Sequence, residues 1–215
     1  MCLLFACLLI IGCCENHIAL QDPGAIIDHK AKHEAMIQSD NSIVVSILID
    51  SSGSMSGRKW RSVKDVLFKL SNQLNEHQLK NGNLYVVLYT FRSQSEMFLF
   101  DKTRFDQIIS NLGEPSGGTP LGEVTRHIFN CMPGIGKNHL FILTDGLENG
   151  RVSTEDVLRE NQGRASVYFV AFDFDKRHYE RLGQFAQMFQ ADNVDELGNV
   201  TFEIFQRNIL VERED

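Results

Sequence analysis

Apolar positions in this chain follow two rhythms. Four runs are almost continuously apolar: Ile43–Ile49, broken only by Ser46, then 84–91, 139–144 and Ser166–Phe172. None shows the in-out alternation of a strand with one wet face. Each therefore reads as a strand covered on both sides, as parallel sheets require. Between them the period becomes helical. Val63, Val66, Leu67, Leu70 and Leu74 recur at three- and four-residue steps, which predicts a long amphipathic helix over 59–78. Further helices are predicted over 103–111, 120–131, 176–187 and 200–211, the last with Phe202, Phe205 and Ile209 inward. Ser153 with Asp156 three residues on marks a capped helix reaching residue 161. Residues 94–100 read as a short antiparallel edge strand and 188–190 as a brief final strand. This alternation predicts an α/β fold: a doubly wound, mostly parallel six-stranded sheet with helices on both faces.

The candidate chemistry stands where the strands end. Ile49 is followed by Asp50-Ser51-Ser52-Gly53-Ser54-Met55-Ser56. Asp50, Ser52 and Ser54 leave the carboxyl end of the first strand at alternate positions, and Gly53 lets the backbone turn tightly between them. In an open parallel sheet that end is where ligands bind. Oxygen donors carrying one formal charge suit a hard divalent cation better than zinc or copper. Two later segments can complete such a site. Gly117-Gly118-Thr119-Pro120 offers another hydroxyl on a flexible loop, and the run Leu140-Phe141-Ile142-Leu143-Thr144 ends in Asp145-Gly146. Each piece alone has a plain structural reading. Asp, Ser and Gly favour turns for local reasons, Thr119-Pro120 is a good helix start, and Ser54 or Ser56 can cap the helix that follows.

Taken together, these residues resemble the von Willebrand factor type A (vWA) domain family and its metal-ion-dependent adhesion site. That family's pattern is Asp-x-Ser-x-Ser, then a Thr, then an Asp. The matching positions are Asp50, Ser52, Ser54, Thr119 and Asp145, and the resemblance covers roughly residues 42–211. It implies a Rossmann-like sheet in the order 3-2-1-4-5-6, with the Asp50 strand beside the Asp145 strand. It implies that Ser52 and Ser54 bind Mg2+, or Mn2+ or Ca2+, directly through their hydroxyls. Thr119 would join them in the ligand-competent state, and Asp50 and Asp145 would act mainly through waters and hydrogen bonds. One coordination position is then left for an Asp or Glu carboxylate of a protein partner.

Other motifs fail on single residues. Gly53-Ser54-Met55-Ser56-Gly57 has the glycines of a hydrolase nucleophile elbow, but Met55 stands at its centre. A haloacid-dehalogenase-type phosphatase needs a second Asp where Ser52 stands. No phosphate-binding loop ending in Gly-Lys-Ser/Thr is present.

Composition narrows the partners. The net charge is −7 and no Lys/Arg block occurs, so nucleic acid is not expected. Of five cysteines, Cys2, Cys7, Cys13 and Cys14 precede the domain, and Cys131 has no partner within it. The core, not disulfides, must hold the fold. Cys131, on a helical pattern with Val124 and Ile128, reads as a buried small hydrophobe. Residues 2–14 are too short to span a membrane but suit a signal-peptide core, and Ile10-Ile11-Gly12-Cys13 resembles a lipoprotein cleavage box. Residues 1–20 are thus expected to be a leader that secretes the domain or tethers it by a lipid, with a cytoplasmic location as the alternative. Residues 21–41 read as a polar linker with a short helix over 28–38 and solvated His29 and His33. Residues 42–215 form the domain.

Met55, Trp60, Gly118 and Glu148 are the expected partner contacts, Trp60 either as an interface anchor or, as a helix-start residue, packed locally. Arg58, Lys59, Leu147 and Asn149 lie near them in the chain. The expected function is a monomeric, metal-dependent protein-binding module of the adhesion type, not an enzyme. An alternative is a cytoplasmic or periplasmic assembly or stress-response factor of the tellurium-resistance or chaperone-associated kind. Behind it stands a metal-dependent hydrolase, for which His127 or His139 would have to serve as base.

Overall fold

A computed structural model describes residues 23–37, 39–146, 148–173 and 176–210. The expected leader over 1–20 lies outside these residues. Among the described residues no helix is long and apolar enough to cross a membrane.

The continuous apolar runs become strands with little adjustment. They are β1 (Ile43–Ile49), β2 (Leu84–Thr90), β4 (Lys137–Thr144) and β5 (Ser166–Phe172), joined by the two-residue β3 (Phe98–Leu99) and by β6 (Gln187–Ala191). The sheet order is β3-β2-β1-β4-β5-β6, and only the β2–β3 pairing is antiparallel. Every residue of β1 and β2 is buried, as a sheet covered on both faces demands.

Alternate side chains of β1 feed two cores. Ile43, Val45, Ile47 and Ile49 pack with α2 (Arg58–Asn81), α3 (Lys102–Ser110) and α6 (Val194–Ile204) through Val63, Leu67, Leu70, Phe105, Leu197 and Ile204. Val44 and Leu48 face α4 (Leu121–Cys131) and α5 (Thr154–Glu160) through Val124, Ile128, Val157 and Leu158. β1 therefore continues into α2 on one face, while β4 continues into α5 on the other. Their shared boundary is the switch point of a doubly wound sheet, where diverging connections open a crevice.

Four elements differ from the sequence reading. The closing helix starts at Val194, six residues before the expected 200, because Asn193 and Glu196 cap it reciprocally. Asn193 Oδ1 accepts the Glu196 N–H at 3.0 Å, and Asn193 Nδ2 donates to Glu196 Oε1 at 2.7 Å. The α-helix then widens to a π-turn over Phe205–Ile209; residue 211 of the expected helix lies outside the described residues. The stretch 176–187 forms a 3-10 helix, Lys176–Gln184, before β6. In the expected linker, α1 (Pro23–Met36) packs against α4. His33, expected in solvent, is 2% exposed and its Nδ1 lies 2.9 Å from the Cys131 carbonyl. Cys131 is buried as expected, and burial pushes its thiol up to about 11.

Candidate functional site

Asp50 is the hub of the crevice. Its backbone N–H donates to the Leu143 carbonyl at 2.8 Å and so extends the β1–β4 ladder by one residue. Its side chain is fully buried and both oxygens are used. Oδ1 accepts the Ser52 N–H at 2.7 Å, and Oδ2 accepts the Thr144 hydroxyl at 2.6 Å. Burial raises its pKa above the ordinary aspartate value, the Ser52 and Thr144 donors work the other way, and Asp145 adds to the rise.

After Asp50 the chain makes a 3-10 turn, Gly53–Met55, that turns Ser52 and Ser54 toward each other. Their hydroxyls are 2.9 Å apart, and Ser54 Oγ donates to Asp145 Oδ1 at 2.6 Å. Since the single Ser54 proton goes to the carboxylate, Ser52 must donate to Ser54. The turn is tied to the glycine loop by two backbone bonds, Gly53 N–H to the Gly117 carbonyl at 3.0 Å and Ser116 N–H to the Ser51 carbonyl at 2.8 Å. Gly117 has φ of 78°, a left-handed conformation that glycine adopts freely.

Thr119 is held on the far side by Asn149. Asn149 Oδ1 accepts the Thr119 N–H at 2.8 Å, and the Asn149 N–H donates to the Thr119 carbonyl at 3.1 Å. The Thr119 side chain is 5% exposed, and its hydroxyl has no hydrogen-bond partner among the described residues. A Cβ on Gly146 would stand 3.7 Å from that hydroxyl and 3.8 Å from Ser54 Oγ. The side chain absent at residue 146 leaves room where the two hydroxyls converge.

Asp145 has a fully buried side chain. With Oδ1 on Ser54, its Oδ2 accepts Lys59 Nζ at 2.7 Å, and the same ammonium reaches Asp173 Oδ2 at 3.0 Å. Burial opposes the charge on Lys59, but the two carboxylates outweigh it and hold its pKa above the ordinary lysine value.

The structure thus brings Asp50, Ser52, Ser54, Thr119 and Asp145 to one place. Three neutral hydroxyls and two carboxylates form an all-oxygen donor set that fits a hard divalent cation. The unpartnered Thr119 hydroxyl and the open space over Gly146 support that fit, and an ammonium already rests on Asp145. Among the described residues, no group of three or more His, Cys, Asp and Glu is arranged around a cation. A bound ion would depend on the hydroxyls.

The expected partner contacts fare differently. Met55 and Trp60 are 0% and 1% exposed. The 3-10 turn rotates Met55 inward, and Trp60 lies on the core side of the first turn of α2, so neither is a surface anchor. Glu148 faces away from the crevice. Its Oε1 accepts the Gly122 N–H at 3.1 Å, the Thr154 N–H at 3.0 Å and the Thr154 hydroxyl at 3.1 Å, which joins the starts of α4 and α5. Gly118 is exposed, with the Asn149 amide across it. Leu147 lies outside the described residues. His139 sits five residues before Thr144 on β4, roughly 17 Å away at strand rise. His127 bonds Gln94 at 2.7 Å on α4.

The sequence profile of the von Willebrand factor type A domain matches residues 45–206. The chain belongs to this family. No protein among curated sequences matches it. Among solved structures, proximal thread matrix protein 1 from the mussel byssus superposes on the vWA domain with a TM-score of 0.60 at 14% identity, covering 77% of this chain and 46% of that one. A von Willebrand factor type A protein from Catenulispora acidiphila gives 0.62 at 18% identity, over 76% of this chain and 42% of the other. This chain spans less than half the length of either protein. At these identities the likeness is one of fold.

Three residues central to the geometry escaped the motif. Thr144 donates to Asp50, Asn149 positions Thr119, and Lys59 holds Asp145. A strand-end hydroxyl directly before Asp145 was the available signal for Thr144. Asn149 and Lys59 had none beyond lying near the motif in the chain.

Proposed function

We propose that this vWA domain is a metal-dependent protein-binding module whose crevice is a metal-ion-dependent adhesion site. Ser52, Ser54 and Thr119 would hold Mg2+, Mn2+ or Ca2+ through their hydroxyls, with Asp50 and Asp145 orienting them. When bound, the ion supplies positive charge that neutral hydroxyls leave incompletely offset and an open position suited to a partner's Asp or Glu carboxylate. The observation that carries this reading is the convergence of five oxygen-bearing side chains from three segments at the switch point, one hydroxyl of them unpartnered. The chain's own part is orientation. Thr144 and the Ser52 N–H fix Asp50, and Asp145 fixes Ser54. Asn149 fixes the Thr119 backbone while leaving its hydroxyl free. The separation of His139 from the crevice, and the engagement of His127 by Gln94, favour binding over hydrolysis.

Calorimetric titration of Mg2+ and Mn2+ into the full chain tests this, with acetate as carboxylate probe and the Ser52→Ala, Ser54→Ala double variant beside it. Binding by the native chain, strengthened by acetate and lost in the variant, is expected. Equal binding by the native chain and the double variant, or no binding by the native chain and by Lys59→Met alike, would overturn it.

A further inference from the structure

The geometry points to Lys59 as a built-in cation that occupies Asp145 when the site holds no metal and transfers to Asp173 when a divalent ion enters. This rests on the adhesion-site reading and adds a means of setting its affinity. Asp145 is a fully buried carboxylate close to a second one, Asp50. Such a pair is costly unless each charge is compensated. Ser54 covers one Asp145 oxygen, and among the described residues Lys59 alone brings positive charge to the other, at 2.7 Å. The ammonium is also poised to leave. It already touches Asp173 at 3.0 Å, and Asp173 is 57% exposed where Asp145 is closed off. A cavity of about 660 Å³, lined by Arg58, Lys59, Ser62, Phe172 and Asp173 among others, gives the lysine stem room on that side.

Asp173 is held for this role by unusual backbone. It has φ of 51°, the sole positive φ outside glycine among the described residues, and its N–H donates to the Ala191 carbonyl at 2.7 Å. A left-handed aspartate persists where the surrounding structure imposes it. Here the result is a carboxylate at the end of β5 within reach of Lys59. Two cations on one carboxylate repel. Lys59 therefore weakens metal binding while Asp173, by drawing the ammonium away, relieves it.

This assigns opposite signs to two neighbouring side chains, which a merely structural role would not. Lys59→Met keeps the stem and removes the charge. It should bind Mg2+ and Mn2+ roughly tenfold more tightly than the native chain, melt at a lower temperature in EDTA, and gain more on metal addition. Asp173→Asn keeps a residue that tolerates left-handed φ. It should bind metal more weakly, by roughly two- to fivefold, the share an exposed ion pair contributes. The double variant should match Lys59→Met, because Asp173 acts through the lysine. Calorimetry and melting read all four proteins. Metal binding by the native chain with Lys59→Met unchanged or weaker, or Asp173→Asn tighter, overturns the role of Lys59 and leaves the adhesion-site reading standing. No binding by the native chain or Lys59→Met overturns both. A silent native chain with a binding Lys59→Met supports the lysine as the resident cation.

Discussion

At the carboxyl ends of β1 and β4, Asp50 and Asp145 are buried beneath hydroxyl donors and one ammonium. At the amino ends of β4 and β5 the buried ionisable group is His139, stacked on Tyr168 with ring centroids 6.0 Å apart and planes 17° from parallel. A cavity of about 740 Å³ opens there, with Lys137, Arg164 and Arg207 and, among the described residues, no carboxylate on its wall. Both poles belong to the same strands, yet they treat buried ionisable groups differently. At the carboxyl pole each Asp50 oxygen and each Asp145 oxygen meets its own donor. At the amino pole the imidazole is left uncharged, because burial first and the nearby Lys137 second push its pKa down to about 4. Dedicated donors for a buried acid mark a group whose charge has a use, whereas the neutral ring needs only its stack and one long contact, 3.4 Å between Tyr168 Oη and His139 Nδ1.

The comparison breaks most severely at Asp50. Asp50→Ala strands the Ser52 N–H and the Thr144 hydroxyl without their acceptor. The expected loss is about 3 kcal/mol of stability, the scale of a broken buried polar network, together with any response to Mg2+. Urea unfolding in EDTA measures the first and the same titration with Mg2+ the second. A loss below about 1 kcal/mol would show that the carboxyl pole stands without its hub.

The amino pole is tested by acid. A histidine whose pKa is lower folded than unfolded binds its proton better when unfolded. Its contribution is therefore complete above the unfolded value of 6.5 and lost as pH falls toward the folded value of about 4. At most about 3 kcal/mol follows from that interval. His33 and His127, lowered chiefly by burial, act in the same direction. Asp50 acts oppositely. Its raised pKa gives a contribution present below the ordinary aspartate value and lost as pH rises through its folded one. His139→Phe keeps the stack and removes the titration. Its unfolding midpoint should fall less between pH 7 and 5 than that of the native chain. Equal slopes would place the acid sensitivity elsewhere.

The same contrast explains what could be read in the chain. The parallel strands were legible to within about two residues because burial on both faces forces continuous apolar runs, and Ile43–Ile49 matches at both ends; the edge strand expected over 94–100 shrinks to Phe98–Leu99. The start of α6 was not. Val194, Asp195, Glu196 and Gly198 carry a weak apolar period, and the helix begins through the Asn193–Glu196 cap. At the site, the five motif residues were legible because their order along the chain is itself the signal. Thr144, Lys59 and Asn149 were not, since each reaches its partner through the fold: Thr144 to Asp50 across two strands, Lys59 to Asp145 over 86 positions. Met55 and Trp60 misled for the converse reason. A polar, glycine-bearing segment suggests exposure, but the 3-10 turn and the first turn of α2 direct both inward.

The smallest expected change in stability falls at Thr119, and it separates scaffold from site. Its hydroxyl has no partner, whereas its backbone N–H and carbonyl are both bound to Asn149. Thr119→Ala removes only the hydroxyl and γ-methyl and leaves those two bonds in place, so stability should fall by no more than about 0.8 kcal/mol, the cost of one buried methyl. Metal affinity should weaken by roughly tenfold, as the loss of one direct oxygen ligand would produce. Asn149→Ala is the matching control. It removes the acceptor of the Thr119 N–H and should cost about 1 kcal/mol of stability as well as affinity. If melting and metal affinity fall together in Thr119→Ala, the hydroxyl belongs to the scaffold. If only Asn149→Ala loses stability while both lose affinity, the loop is built to present one free hydroxyl to the crevice.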